Sequence, residues 1–171
     1  AEVVELLREQ AERESEPLAR ADVLLQVARI TAEQLKDPEA ARFLYEEVLR
    51  LDPDNPRAAA ALERSYAKLG EFNGLIRCLE ILLSHERDKK ERIKLLARIA
   101  EIHKDKRDDP VEAFHAELRA LALEPGKKKI LQHVLQLGEE TGRYQELAAS
   151  LRAVVDSGEI KGKNLLEMLG H

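Results

Sequence analysis

Five histidines and one cysteine are the first side chains to weigh for metal binding, proton transfer or nucleophilic attack in this chain of 171 residues. The histidines are His85, His103, His115, His133 and His171, and the cysteine is Cys78. Glu112 and His115 form an E-x-x-H pair, the spacing that sets two ligands on one helix face in di-iron helical bundles. Such a centre needs a second E-x-x-H and two further glutamates on facing helices. The chain has only the one pair, so it reads as a surface glutamate beside a partly buried histidine. His103 falls on an apolar stripe, as a half-buried packing residue. Cys78, between Leu75 and Leu79, packs as a small hydrophobe. A single cysteine makes no internal disulfide and no Cys-built zinc site. Neither a glycine-rich phosphate loop nor a G-x-S-x-G elbow nor an H-E-x-x-H occurs. The expectation is a non-enzyme with no cofactor and no metal.

Charge and composition narrow the class further. The net charge is −5 with 36% charged residues, whereas chains that grip nucleic-acid backbone carry the opposite balance. Aromatics are 4% and there is no Trp, while Ala, Leu, Glu, Arg and Lys dominate, all helix formers. An all-α fold is expected. No apolar run nears the roughly 20 residues of a membrane span. AEVVELLREQ at the N-terminus has no basic stretch followed by an apolar core, so no leader is visible. The cytoplasm is the default expectation.

The elements that would position any site come from a repeat. Asp37-Pro38 recurs as Asp109-Pro110, and Leu51-Asp52-Pro53 recurs at the same offset as Leu123-Glu124-Pro125. Arg20 and Arg92, Leu24 and Leu96, Ala28 and Ala100, Ala41 and Ala113, Gly70 and Gly142 share that offset without a gap. Each of the two blocks holds four helical patterns. In the first these run over about 20–36, from Pro38 to Leu51, from Pro56 to Gly70, and from Phe72 to about Ser84. In the second they run over about 91–107, 110–123, 127–141 and 143–156. Asp37 should cap the helix that Pro38 opens, and Gly70 should close its helix in the left-handed region. Residues 2–15 align with the fourth pattern and read as the second helix of a preceding hairpin. Residues 163–170 read as the start of a following one. The expectation is a single domain over 1–171, taken from a longer array.

With its small residues at Ala28, Ala41, Ala100, Ala113 and Ala120, and its closing stretches RLDP (50–53) and ALEP (122–125), the chain resembles the tetratricopeptide repeat family. KLGEF (68–72) and ETGRY (140–144) resemble that family's Leu-Gly-x-Tyr turn. The units are about 20–53, 56–84, 92–125 and 128–156. The second and fourth depart at the small positions, which hold Glu63, Leu75 and Leu82, and Leu135, Leu147 and Val154. The resemblance implies a right-handed α-solenoid of antiparallel helix hairpins and a binding scaffold whose first helices line a concave groove. It places Asp22, Leu25, Arg29 and Ala32 in that groove, then Arg57, Ala60, Arg64 and Ala67. Lys94, Ala97, Glu101 and Lys104 follow, then Lys129, Gln132, Gln136 and Glu139. These carry a net +3 in a chain of −5. An acidic partner segment is therefore the expected occupant. Arg57 and Arg64 would grip its carboxylates, and Arg29, Lys94, Lys104, Lys129, Gln132 and Gln136 would complete the contact. The Lys/Asn carboxylate clamp of some family members is not reproduced.

Other readings stand beside this one. The groove charges could be merely solvated, and the Lys127-Lys128-Lys129 tract could be a surface cluster or a partner contact. Phe43, Tyr45, Phe72, Phe114 and Tyr144 read as packing between hairpins. A structural or self-assembling repeat, associating through open ends, is the alternative function. An RNA-binding repeat would need a base-reading pair in each unit, and the groove residues differ from unit to unit.

Overall fold

The computed structural model describes residues 2–156. Among them are nine helices and no strand: α1 (Glu2–Arg13), α2 (Pro17–Glu33), α3 (Pro38–Leu51), α4 (Pro56–Leu69), α5 (Phe72–His85), α6 (Lys89–Arg107), α7 (Pro110–Leu123), α8 (Lys128–Thr141) and α9 (Tyr144–Asp156). The segment 163–170 and His171 lie outside the described residues. The helices gather into two compact units, α1–α5 and α6–α9.

Local chemistry sets the boundaries. The Asp37 carboxylate accepts from the Ala40 backbone N–H, and its repeat counterpart Asp109 does the same for Glu112. Each cap is followed by a proline whose missing N–H costs nothing in the first turn. The connections before them also repeat. Lys36 and Asp108 both take positive φ, 57° and 53°, and the next backbone N–H reaches the carbonyl of Thr31 or His103. Gly70 and Gly142 close α4 and α8 in the left-handed region. α2 begins ahead of the apolar stripe, at Pro17, because that proline supplies a preset first turn.

In the first unit, α2 pairs with α3 and α4 with α5; α1 lies on α2, and α3 joins the hairpins by packing on α4. Its core draws Ala11 from α1, Ala21 and Leu24 from α2, Val48 and Leu49 from α3, Ala58 and Leu62 from α4, and Cys78 from α5. In the second unit α7 is central, touching α6, α8 and α9. Phe114 is its largest fully buried side chain.

Close helix approach rests on small residues. Ala28, Ala41, Ala100, Ala113 and Ala120 are all buried. The α4–α5 hairpin, which lacks small residues at the family's positions, meets at Gly74 instead. A methyl group there would lie 2.8 Å from the Tyr66 ring. In the second unit Gly138 plays that part, with Leu147 at 3.0 Å and Phe114 at 3.3 Å from an added Cβ.

Two aromatic expectations are corrected. Phe43 and Tyr144 are 55% and 61% exposed, so neither packs between hairpins. Phe43 points off α3 and carries the Arg42 guanidinium 4.5 Å above its ring. Tyr144 opens α9, where no helix of its unit covers it. His103 is more deeply buried than half-buried, at 6% exposure, at the α6 position matching Thr31.

The Tyr66 ring is held over Gly74 by its hydroxyl, which donates to Glu46 at 3.3 Å. Gly74→Ala should therefore lower the unfolding free energy by about 1 kcal/mol, overpacking outweighing the gain in helix propensity. In a Tyr66→Ala background the same change should stabilise. Urea denaturation of the four variants checks the reversal of sign.

Candidate functional site

A cleft opens at the same place in the repeat of each unit. In the first unit the end of α2, the start of α3 and the second half of α4 enclose about 600 Å³. In the second, α6, α7 and α8 enclose about 390 Å³. At the offset that carries Asp37 onto Asp109, Ala32 becomes Lys104, Tyr45 becomes Glu117, Ala61 becomes His133 and Arg64 becomes Gln136. The backbone plan is shared and the lining has diverged. Two alanines leave open, in the first unit, space that a lysine and a histidine occupy in the second.

The electrostatics diverge as well. In the second cleft Glu117 is a buried carboxylate, 6% exposed. The protonated Nδ1 of His133 donates to it at 2.9 Å. Lys104 pairs with Glu140 at 3.5 Å, and Lys94, further along α6, pairs with Glu91 at 2.6 Å. Lys129 has no ion pair among the described residues, and Gln132 and Gln136 are exposed on α8. In the first unit Arg29, Arg57, Arg64 and Lys68 make no ion pair with any described residue. Arg57, Arg64 and Lys68 all lie on α4, whose only acidic residue is Glu63. Arg42 is engaged by Glu46 at 2.7 Å. The free cations of the expected groove set thus concentrate on α4 and Arg29, with Lys129 in the other unit.

Tyr45 and Lys68 were missed as lining residues by the apolar-stripe reading, which counted Tyr45 as packing. Tyr45 is half-buried, and its hydroxyl makes no hydrogen bond to a described residue. Burial, reinforced by nearby Glu33 and opposed by Arg29, raises its pKa. A signal for the position did exist: a tyrosine whose repeat counterpart is a glutamate marks a site that is not simple core.

His115, His133 and His85 tie separate elements together. His115 lies 3.1 Å from Glu146 of α9 and 3.5 Å from Glu112, which converts the E-x-x-H pair into part of the α7–α9 contact. The hydrogen bond from Arg143, with help from His115, holds the Glu146 carboxyl below its usual range. His85 reaches Asp54 at 3.0 Å. No group of three or more potential metal ligands occurs among the described residues, and none of their helices is long and apolar enough to cross a membrane.

Residues 32–105 match the family model of the tetratricopeptide repeat. Over those residues the chain is similar to that family. Solved structures similar to it include a MamA mutant, at 20% identity and TM-score 0.48, covering 95% of this chain and 86% of that one. A MamA of Desulfovibrio magneticus RS-1 is similar at 16% identity and TM-score 0.42, covering 93% of this chain and 97% of that one. TPR-like repeats of a Podosopora anserina protein described as a putative kinesin light chain are similar at 19% identity and TM-score 0.45, covering 92% and 88%. No curated protein matches the chain. The match at 32–105 spans α3, α4 and α5 and most of α6.

Removing the His133 ring would leave Glu117 buried without that donor. His133→Ala should cost about 1–3 kcal/mol of stability, read by thermal or denaturant unfolding. A second outcome concerns alkaline pH. Burial pushes the Cys78 thiol from 9.0 up to about 11. Burial, then the charge of Glu46, pushes Tyr66 from 10.0 up to about 12. The unfolded chain loses these protons first, so both groups stabilise the fold below pH about 9 and the contribution is lost as pH rises toward 11–12. Cys78→Ala should flatten the first part of that decline in a stability–pH profile.

Proposed function

We propose that this chain is a non-catalytic module that binds a partner protein, and that an acidic segment of the partner lies along α4 of the first unit. The observation that carries the reading is the row of cations on α4. Arg57, Arg64 and Lys68 recur at i, i+7 and i+11 on one face, with no anion of the described residues paired to them. Arg57 also stands in the first turn, where the helix dipole disfavours a cation. Such an arrangement gains most from an external carboxylate, which an arginine fork takes bidentately. Arg29 flanks the same side. Lys129, Gln132 and Gln136 form the corresponding contact of the second unit, where Lys94 and Lys104 are partly neutralised by their glutamates. The tetratricopeptide plan supports a scaffold role, and the charge row supports the class of occupant.

A second reading has one observation in its favour. Val3 and Leu6 of α1 are 60% and 62% exposed, whereas their repeat counterparts, Leu75 and Cys78, are 3% and 0% exposed beneath α4. An α4-like helix from another repeat or another copy would cover that face, as in a structural or self-assembling array.

Capture of partners on the immobilised chain, at low and moderate salt, separates the two. Arg57→Glu with Arg64→Glu should release the partner without unfolding the chain, and added salt should weaken the wild-type complex. A partner retained by the doubly reversed chain but released by Val3→Lys with Leu6→Lys would assign binding to α1 instead.

A further inference from the structure

We infer that an apolar pocket between α7 and α9 of the second unit is the docking site of this chain's own segment 164–169. The inference is separate from the reading of α4 and stands or falls apart from it. The pocket encloses about 230 Å³. Ser150, Ala153 and Val154 of α9 form one wall, and Leu118, Leu121 and Ala122 of α7 form the other.

The repeat shows that both walls are written into the sequence. At the offset that carries Asp37 onto Asp109, Arg77, Cys78, Ile81 and Leu82 of α5 become Ala149, Ser150, Ala153 and Val154 of α9. Each of these positions loses bulk. In the first unit the larger side chains close the matching seam. Cys78 and Ile81 are buried in a core shared with Leu49, Leu82 packs against it, and the Arg77 guanidinium donates to the Leu49 carbonyl at 3.5 Å. In the second unit Ala153 is exposed. The facing wall changes in the other sense: Glu46 becomes Leu118 and Arg50 becomes Ala122, while Leu49 is kept as Leu121. One wall retreats as the other turns apolar. Such a hollow is stabilised by apolar atoms, because its lining otherwise forfeits dispersion contacts and offers water few partners.

The chain supplies those atoms within reach. After Asp156, the last residue of α9, the sequence reads SGEIKGK (157–163) and then NLLEML (164–169). The first stretch is a polar spacer with two glycines, of a length that commonly joins two packed helices. The second concentrates Leu165, Leu166, Met168 and Leu169. Ala153 and Val154 stand in the last turn of α9, and an extended spacer of this size reaches roughly 25 Å, enough to return the apolar run to them. A tether this short holds the run at an effective concentration on the order of millimolar, an advantage no separate protein has. Charge agrees with the placement. Arg152, exposed next to Ala153, has no ion pair with a described residue, and Glu167 lies among the apolar residues of the run.

Met168 is the only methionine of the chain, so methyl-labelled methionine gives a single signal for the segment. With the leucine and valine methyls labelled as well, methyl NMR of the full chain should show nuclear Overhauser contacts from methyls of 165–169 to those of Leu118, Leu121 or Val154. Ala153→Ile installs the first unit's residue and fills the pocket. It should remove those contacts and move the Met168 signal toward its position in the urea-unfolded chain, with the amide spectrum of α1–α5 unchanged. Leu165→Ser with Leu169→Ser, which leaves the pocket itself intact, should remove the contacts too. A folded chain in which no methyl of 165–169 contacts the pocket overturns the inference, as do contacts that survive Ala153→Ile. Contacts that pass between differently labelled copies in a mixed sample also overturn it, and give the pocket to a second copy instead.

Discussion

Backbone-close packing at small side chains is the constraint on which the rest of this structure depends. A single amphipathic helix of about 14 residues cannot hold itself together in water, and its apolar stripe needs a facing partner. Here the partner approaches over Ala28 and Ala41 in one hairpin, Ala100 and Ala113 in another, and Gly74 beneath Tyr66 in a third. Larger residues at these points would spread the helices. That separation would shift the walls of both clefts, because each cleft is bounded by the helices those contacts set.

The same constraint explains why the two units share a plan and differ in chemistry. The packing face of each helix is held by its neighbours, so positions such as Leu24 and Leu96, or Val48 and Ala120, stay apolar and small enough to fit. The cleft face is not held in this way. There, between one repeat block and the next, alanine stands against lysine, alanine against histidine, tyrosine against glutamate and arginine against glutamine. One cleft, of about 390 Å³, holds an internal hydrogen bond from His133 to Glu117, a buried carboxylate that demands a donor. The other retains its volume and its unpaired cations. Two repeats of one plan thus carry different surfaces on similar hairpins.

Charge distribution follows from the same division. The chain is acidic as a whole, yet α4 carries three cations against one acid. On α6 and α7 some charged residues are drawn into pairs: Lys94 with Glu91, Lys104 with Glu140, His115 with Glu146. Such exposed pairs add little stability, but they remove charge from the pool available to a partner. A sum of formal charges over a groove therefore overstates its basic character in the second unit and not in the first.

The sequence by itself determined the helices and most of their caps. Asp37, Asp109, Gly70, Gly142 and the helix-opening prolines act through bonds within a few residues, and a shared repeat offset requires only counting. What only tertiary structure decided were properties that depend on residues far apart in the chain. Phe43 is exposed because no neighbour covers that side of α3, and Glu117 is buried because α8 brings His133 to it. Gly74 matters because the Tyr66 ring lies on it. Arg64 and Lys68 are free because no carboxylate of a neighbouring helix reaches them, and Tyr45 lines a cleft because positions 32 and 61 are alanine. Local hydrogen bonding and periodicity are written along the chain; burial, ion pairing and empty space belong to what the fold brings alongside.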